Sequence, residues 1–145
     1  MHADSQARQR APMKRILVVD DNLDQVRSLA MMFNTMGYAC DYAINGTVAA
    51  EMAEKYRPDI VFLDLLLPDG HGATICREIR GLAGLKETRI FAISASSRMI
   101  DYQRAIDAGC DDVLRKPVSP ATFERLISGG MNRRKLREMF ANKDS

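Results

Sequence analysis

Short runs of apolar, often β-branched residues alternate along this chain with stretches of helical periodicity. The five candidate strands, of which the last two are weaker or more polar, are Ile16–Val19, Ile60–Leu63, Ile90–Ile93, Val113–Leu114 and Tyr38–Tyr42. The five helical patterns are Leu23–Met36, Thr47–Tyr56, Ala73–Leu82, Met99–Ala108 and Pro120–Ile127. Apolar runs without polar alternation are typical of parallel strands covered on both faces. The alternation therefore predicts a doubly wound α/β fold, with a five-stranded parallel sheet and helices on both faces.

Length and charge restrict the protein further. A chain of 145 residues, 46% hydrophobic and 28% charged, has the size and composition of one ordinary globular domain. The formal net charge is +2, but basic side chains gather in residues 1–15 and 132–145, so that the part between them is net acidic. An acidic body argues against nucleic-acid binding, which needs clustered Lys and Arg, and favours a bound cation.

The cysteines and the lengths of the apolar runs indicate in which cellular compartment the protein is expected. Cys40, Cys76 and Cys110 are odd in number, far apart and without C-x-x-C spacing, so neither a disulfide framework nor a zinc site is expected. We interpret them as small buried hydrophobic residues in a reducing environment. No apolar run approaches the roughly 18 residues of a membrane span, and the N-terminus lacks the apolar stretch of a secretion signal. We expect a cytoplasmic protein with no membrane partner.

Polar side chains follow four of the predicted strands. Asp20 and Asp21 come directly after the first strand, Asp64 and Ser94 end two others, and Lys116 follows the last. Ligands of open α/β sheets bind at the carboxyl ends of the strands, so these side chains are expected to converge. We predict the flavodoxin-like strand order 2-1-3-4-5, because it makes the strand before Asp20 and the strand before Asp64 neighbours.

This set of residue types indicates phosphoryl chemistry with a metal ion. Three crowded carboxylates repel each other unless a cation neutralises them, and Mg²⁺ prefers oxygen ligands. A carboxylate such as Asp64 can attack a phosphoryl group to give an acyl phosphate, while Lys116 and the metal offset the oxygen charges. Taken singly, Asp20 and Asp21 fit helix capping, and Asp64 and Lys116 fit a turn and a loop. Together at one edge they favour a functional site.

The strings RILVVDDN, FLDLLLPDGHG, IFAISAS and AGCDDVLRKP, with their spacing, resemble the receiver domains of two-component response regulators. The resemblance covers about Lys14 to Met131. It predicts a receiver domain over residues 14–131, a loose tail over residues 1–13, and a basic tail or helix extension over residues 132–145.

The resemblance implies roles for the residues that match the motifs. A histidine kinase or histidine phosphotransfer protein would pass a phosphoryl group to Asp64, Lys116 would contact that group, and Ser94 would be the switch hydroxyl. The implied Mg²⁺ ligands are Asp20, Asp21, Asp64 and the backbone carbonyl of Leu66. The Lys116–Pro117 bond would be cis. The resemblance implies no enzyme beyond self-phosphorylation and self-dephosphorylation.

One position departs from the common pattern of the family, and two others bear on the lifetime of the acyl phosphate. Many receivers carry Tyr or Phe at the position of Val113, which leaves open whether Val113 is a smaller packing switch or no switch. Leu66 and Ser96 occupy the positions that tune hydrolysis of the acyl phosphate. Because Leu66 has no polar group to orient water, the sequence predicts slow self-dephosphorylation.

Several alternatives remain open at the level of sequence. We expect a stand-alone receiver that acts through contacts with a downstream protein, with homodimerisation left open; the alternative is a segment of a larger hybrid kinase or regulator. An aspartate-nucleophile phosphohydrolase typically needs a second acid two residues after the nucleophile, where this chain has Leu66. A flavin or nucleotide module would need a glycine- or hydroxyl-rich loop in place of DDNLDQ.

Overall fold

The computed structural model describes residues 13–67 and 70–129, and within them strands and helices alternate. The strands of the main sheet are β1 (Arg15–Val19), β2 (Ala39–Ala43), β3 (Ile60–Asp64), β4 (Arg89–Ser94) and β5 (Asp112–Arg115). The helices are α1 (Leu23–Thr35), α2 (Gly46–Tyr56), α3 (Gly72–Gly81), α4 (Met99–Asp107) and α5 (Pro120–Gly129). After β3, Leu66–Leu67 pairs antiparallel with Gly70–His71.

The main sheet has the order β2-β1-β3-β4-β5, and every neighbouring pair is parallel. Both the fold class and the strand order predicted from the sequence are confirmed. The register sets the strand ends nearly level, because Val19 pairs with Leu63, Asp64 with Ile93 and Ser94 with Arg115. The residues that follow the strands therefore meet along one edge.

Each face of the sheet packs against its own apolar core. Alternate strand residues such as Val19 and Leu63 face the core shared with α2 and α3. The opposite face includes Phe62, which packs with Phe33 of α1 and Phe123 of α5 at centroid distances of 5.6 and 4.8 Å. Because both faces are covered, the central strands are apolar throughout, which is why their sequence shows no alternation.

Helix ends differ from the predicted ones by one or two residues, and their caps explain part of the difference. The side chain of Asn22 accepts a hydrogen bond from Gln25 N at the start of α1. The side chain of Asn45 accepts one from Val48 N, so α2 begins at Gly46, one residue before the predicted start. The main-chain φ of Gly37, which follows α1, is 99°, a left-handed conformation that glycine adopts without a steric penalty.

The three thiols are free, as the sequence predicts, but they are not equally buried. Cys76 and Cys110 are fully buried, whereas Cys40 is half-buried because it lies on β2, an edge strand of the sheet. Burial, with a contribution from Asp41, raises the pKa of the Cys40 thiol to about 12. Hydrogen bonding to Cys76 and burial raise the pKa of Cys110 as well.

Two sequence predictions concern the chain ends. Apart from Met13, the predicted tails over residues 1–13 and 132–145 lie outside the described residues, so the domain limits stay predictions.

Among the helices that the structure describes, none has the length and apolar character needed to cross a bilayer.

Candidate functional site

Three aspartates meet at the carboxyl edge of the sheet. Asp20 and Asp21 directly follow β1, and Asp64 ends β3, the strand beside it. One side-chain oxygen from each lies within 4.8 Å of those of the other two. Asp20 and Asp64 are buried, while Asp21 is exposed. The structure thus brings together the three side chains that the sequence predicts as metal ligands.

Backbone amides hold the two buried carboxylates in place. Asn22 N donates to Oδ1 of Asp20 at 3.0 Å, and Leu66 N donates to Oδ1 of Asp64 at 3.0 Å. Both bonds run from a side chain to the amide two residues on, a turn that aspartate favours after a strand. In each carboxylate, Oδ1 is thereby fixed, and Oδ2 is the oxygen that Lys116 contacts.

Lys116 reaches the site from the strand end beyond β4. Its Nζ lies 3.4 Å from Oδ2 of Asp20 and 3.3 Å from Oδ2 of Asp64, and its backbone N donates to the carbonyl of Ser94 at 2.9 Å. The Lys116–Pro117 bond is cis, as the resemblance implies. Burial by itself lowers the pKa of Lys116, but Asp64 and Asp20 outweigh burial, and the pKa is raised overall. The ammonium is therefore charged at neutral pH.

Ser94 ends β4, next to the strand of Asp64, and its side chain is buried. The hydroxyl oxygen accepts a hydrogen bond from Ser96 N at 3.0 Å. Its own proton is therefore not used in that bond and can be donated to another acceptor. Ser94 thus lies at the same edge as the carboxylates, in the position predicted for a switch hydroxyl.

A cavity of about 380 Å³ adjoins Ser94 on the side of α4. Val113, half-buried on β5, lines it together with Leu65, and Tyr102 lines it from α4. The sequence did not single out Tyr102, because within α4 its spacing is that of an ordinary surface position. Its phenol forms a hydrogen bond with the carboxylate of Asp112 at the start of β5.

Leu66 lies beside the aspartates with 65% of its surface exposed. Its amide binds Asp64, and its backbone pairs with His71. His71 itself caps α3, because its Nδ1 accepts a hydrogen bond from Ala73 N at 3.2 Å. An exposed aliphatic side chain two residues after Asp64 supplies neither an acid nor a base there.

Comparison with known proteins identifies the family. Residues 16–128 match the family model of the response regulator receiver domain. The chain belongs to this family. The resemblance deduced from the sequence motifs is therefore confirmed, and the chain is the receiver domain of a two-component response regulator. Proteins of this family are signalling proteins rather than classic enzymes, and they interact with histidine kinases and downstream targets.

The relatives of this receiver domain include longer regulators. It is 33% identical to the DNA-binding response regulator MtrA of Mycolicibacterium paratuberculosis over 120 residues, 83% of this chain and 52% of MtrA. It is 35% identical to the response regulator MprA of Mycobacterium tuberculosis over 103 residues, 71% of this chain and 44% of MprA. The chain thus spans about half the length of the curated relatives it matches.

A solved structure supports the same assignment. The response regulator receiver domain (CheY-like) of Methylobacillus flagellatus superposes with a TM-score of 0.74 at 26% identity, covering 83% of this chain and 100% of that chain.

Proposed function

We propose that this receiver domain accepts a phosphoryl group on Asp64 from a histidine kinase or a histidine phosphotransfer protein, with Mg²⁺ bound. The observation that carries the proposal is the position of the Asp64 carboxylate. One of its oxygens lies 3.3 Å from the ammonium of Lys116, and one lies within 4.8 Å of oxygens of Asp20 and Asp21, at the carboxyl edge of the sheet. An anionic phosphoryl group that approaches Asp64 thus meets one fixed cation and a set of metal ligands.

The donor set fits a divalent cation. Three carboxylates and one ammonium carry a combined charge of −2, which one Mg²⁺ ion neutralises. Mg²⁺ takes oxygen ligands and keeps several waters, so it suits a small cluster that is open on one side. Asp20, Asp21 and Asp64 would hold the ion together with the backbone carbonyl of Leu66. When bound, the ion supplies charge neutralisation for phosphoryl oxygens.

The transfer needs no proton from the acceptor, because the Asp64 carboxylate reacts in its ionised form. One of its oxygens attacks phosphorus, and a P–O bond forms as the P–N bond to the donor imidazole breaks. The electron pair of the broken bond stays on the imidazole nitrogen, which takes up a proton from solvent. Lys116 Nζ then pairs with a phosphoryl oxygen, and the free proton of the Ser94 hydroxyl is donated to another.

Phosphorylation would change the contacts that the domain makes with a downstream protein. We propose a stand-alone receiver as the first candidate. A second candidate is the receiver part of a longer regulator, such as a DNA-binding one. It is favoured by the similarity to MtrA, of which this chain covers about half. In that case nucleic acid would contact a different part of the whole protein, in keeping with the net acidic body of this domain.

Incubation with a small acyl phosphate and Mg²⁺, followed by intact-mass measurement, tests the proposal. We expect a single phosphoryl adduct that disappears with EDTA and in Asp64→Asn. The control is Asp107→Asn, which alters an exposed carboxylate at the end of α4 and should label normally. An adduct that persists in Asp64→Asn would contradict the proposal. So would the lack of an adduct under conditions in which another receiver domain is labelled.

A further inference from the structure

We propose that Ser96 and Asp101 connect the Ser94 hydroxyl to helix α4, and that Asp101 is the positioning residue through which phosphorylation of Asp64 reaches this helix. The inference rests on the proposed function of Asp64. It concerns a route that lies outside the residues of the aspartate cluster.

Three hydrogen bonds join the end of β4 to the first turn of α4. Ser96 N donates to Oγ of Ser94 at 3.0 Å, and Ser96 Oγ donates to Oδ2 of Asp101 at 2.7 Å. Arg98 N donates to the same Ser96 hydroxyl oxygen at 3.1 Å. The Ser96 side chain is thus held from both sides. A displacement of the Ser94 hydroxyl moves the backbone of Ser96, and its side chain carries that movement to Asp101.

Helix α4 has few buried apolar contacts. Within this fully described helix, Ala105 is the one buried residue, and its cap residue Arg98 makes no side-chain capping bond. At its start, Met99 is 75% exposed and Ile100 is 51% exposed. Elements with few buried apolar contacts respond to small changes in free energy. The bond between Asp101 and Ser96 and the bond between Tyr102 and Asp112 are therefore the side-chain hydrogen bonds that position the first turn, and the first of them leads to Ser94.

The cavity beside Ser94 gives this first turn room to move. It is bounded by Met99 and Tyr102 of α4 on one side and by Leu65 and Val113 on the other. Val113 is a small aliphatic residue in this lining, whereas many receivers carry an aromatic ring at this position. A hydrogen-bonded route through Ser96 does not require such a ring, so the switch can operate with Val113 in place.

The sequence of events follows from the directions of these bonds. In the unphosphorylated domain the Ser94 hydroxyl oxygen accepts from Ser96 N, and its proton is available. When Asp64 carries a phosphoryl group, that proton is donated to a phosphoryl oxygen and the hydroxyl moves toward Asp64. Ser96 follows through its amide, and Asp101 with the first turn of α4 is repositioned. No bond other than hydrogen bonds changes in this relay.

Hydrogen–deuterium exchange over Met99–Asp107, measured with and without acyl phosphate and Mg²⁺, tests the relay. In the wild type we expect phosphorylation to change the exchange rate of the first turn several-fold. In Asp101→Ala this change should be lost, although intact mass shows Asp64 phosphorylated to the wild-type extent. Asp101→Asn keeps an oxygen that can accept from Ser96 and should restore the response. Asp107→Ala, at the other end of the same helix, should retain it.

The outcomes separate the relay from the proposed function. The lack of an adduct in the wild type contradicts phosphorylation of Asp64 itself. An adduct with the wild-type exchange response in Asp101→Ala overturns the relay alone, and so does an adduct without any response of α4 in the wild type. If Asp101→Ala does not fold, Ser96→Ala removes the same bond from the side of the loop and is expected to abolish the response of α4. A wild-type response in Ser96→Ala would equally refute the relay.

Discussion

Nζ of Lys116 lies 3.3 Å from Oδ2 of Asp64, although 52 residues separate them along the chain. The same nitrogen lies 3.4 Å from Oδ2 of Asp20. One ammonium thus bridges two carboxylates that are also candidate ligands of a metal ion. The ammonium and the metal therefore compete for the same negative charge, even though both would stabilise a phosphoryl group on Asp64.

Removal of this ammonium should strengthen metal binding. In Lys116→Met, the oxygens of Asp20 and Asp64 lose their fixed cation, and a positive charge that repels the metal is gone. We expect Mg²⁺ to bind roughly tenfold more tightly in calorimetric titrations, the size of effect that one nearby charge produces in a partly solvated site. Lys55→Met, an exposed lysine on α2, is the control and should bind as the wild type does. Weaker binding in Lys116→Met would contradict the shared-ligand geometry.

Gly72 is predicted to be essential for the position of Asp64. A Cβ on Gly72 would lie 2.5 Å from the carbonyl oxygen of Asp64 and 2.8 Å from Cα of Leu65, and both are backbone atoms. We expect Gly72→Ala to lower the free energy of unfolding by about 1–3 kcal/mol, measured by urea denaturation, and to slow phosphorylation. Gly81→Ala, at the other end of α3, meets no atom within 4 Å and should be neutral or stabilising. Equal stability of the two variants would refute this steric explanation.

Arg80 is predicted to stabilise the amino-terminal ends of β4 and β5, which lie opposite the carboxyl edge that carries the site. Its Nη2 lies 2.7 Å from Oδ2 of Asp111, its Nε donates to the carbonyl of Gly109 at 2.9 Å, and Nη1 donates to the carbonyl of Thr88. Arg80→Met takes the guanidinium away from these three acceptors in a largely buried place, although Ile90 N still donates to Oδ2 of Asp111 at 2.7 Å. We expect a loss of about 3 kcal/mol in the free energy of unfolding. Arg77→Met alters an exposed arginine of the same helix and should change stability little. A similar loss in both variants would assign the effect to helix α3 in general.

The sequence predicts most of the aspartate cluster because the sheet itself places those residues. Asp20 and Asp64 follow apolar strands whose carboxyl ends meet at one edge, so their proximity follows from strand order alone. Lys116 follows β5 in the same way. The hydrogen-bond partners of these side chains were less predictable from the sequence, because they depend on local turns such as the one from Asp64 to Leu66.

The features that the sequence did not reveal depend on contacts between elements. In the sequence, Gly72 looks like an ordinary residue at the start of a helix. Only the structure shows that a side chain at this position would clash with the backbone of Asp64. The Ser96–Asp101 bond depends on the path of the β4–α4 loop, which no hydrophobic periodicity records. Tyr102 lies at a surface position of α4, and its bond to Asp112 crosses to a strand ten residues further on.

Leu66 is predicted to slow the loss of the phosphoryl group. Its exposed side chain stands two residues after Asp64 and has no atom that can orient an attacking water. Leu66→Asn adds an amide that can do so, and we expect the acyl phosphate to decay several-fold faster in a timed phosphate-release assay. Met31→Asn replaces an exposed apolar residue on α1 and should leave the decay unchanged. Equal decay in Leu66→Asn and the wild type would show that access of water is limited elsewhere.

Asp112 is predicted to make stability depend on pH. Burial, with a contribution from Asp111, raises the pKa of the Asp112 carboxyl above its usual value of 3.8, although hydrogen bonds from Val113 N and Tyr102 oppose the shift. The folded state therefore holds this proton more tightly than the unfolded state. The stabilising contribution is complete below 3.8 and is lost as pH rises through the raised pKa. We expect Asp112→Asn to be more stable than the wild type near neutral pH, and we expect this difference in the free energy of unfolding to shrink as the pH is lowered toward 3.8. Urea denaturation of both proteins at a series of pH values measures it. Asp107→Asn serves as the exposed control, and a difference that does not vary with pH would contradict this origin.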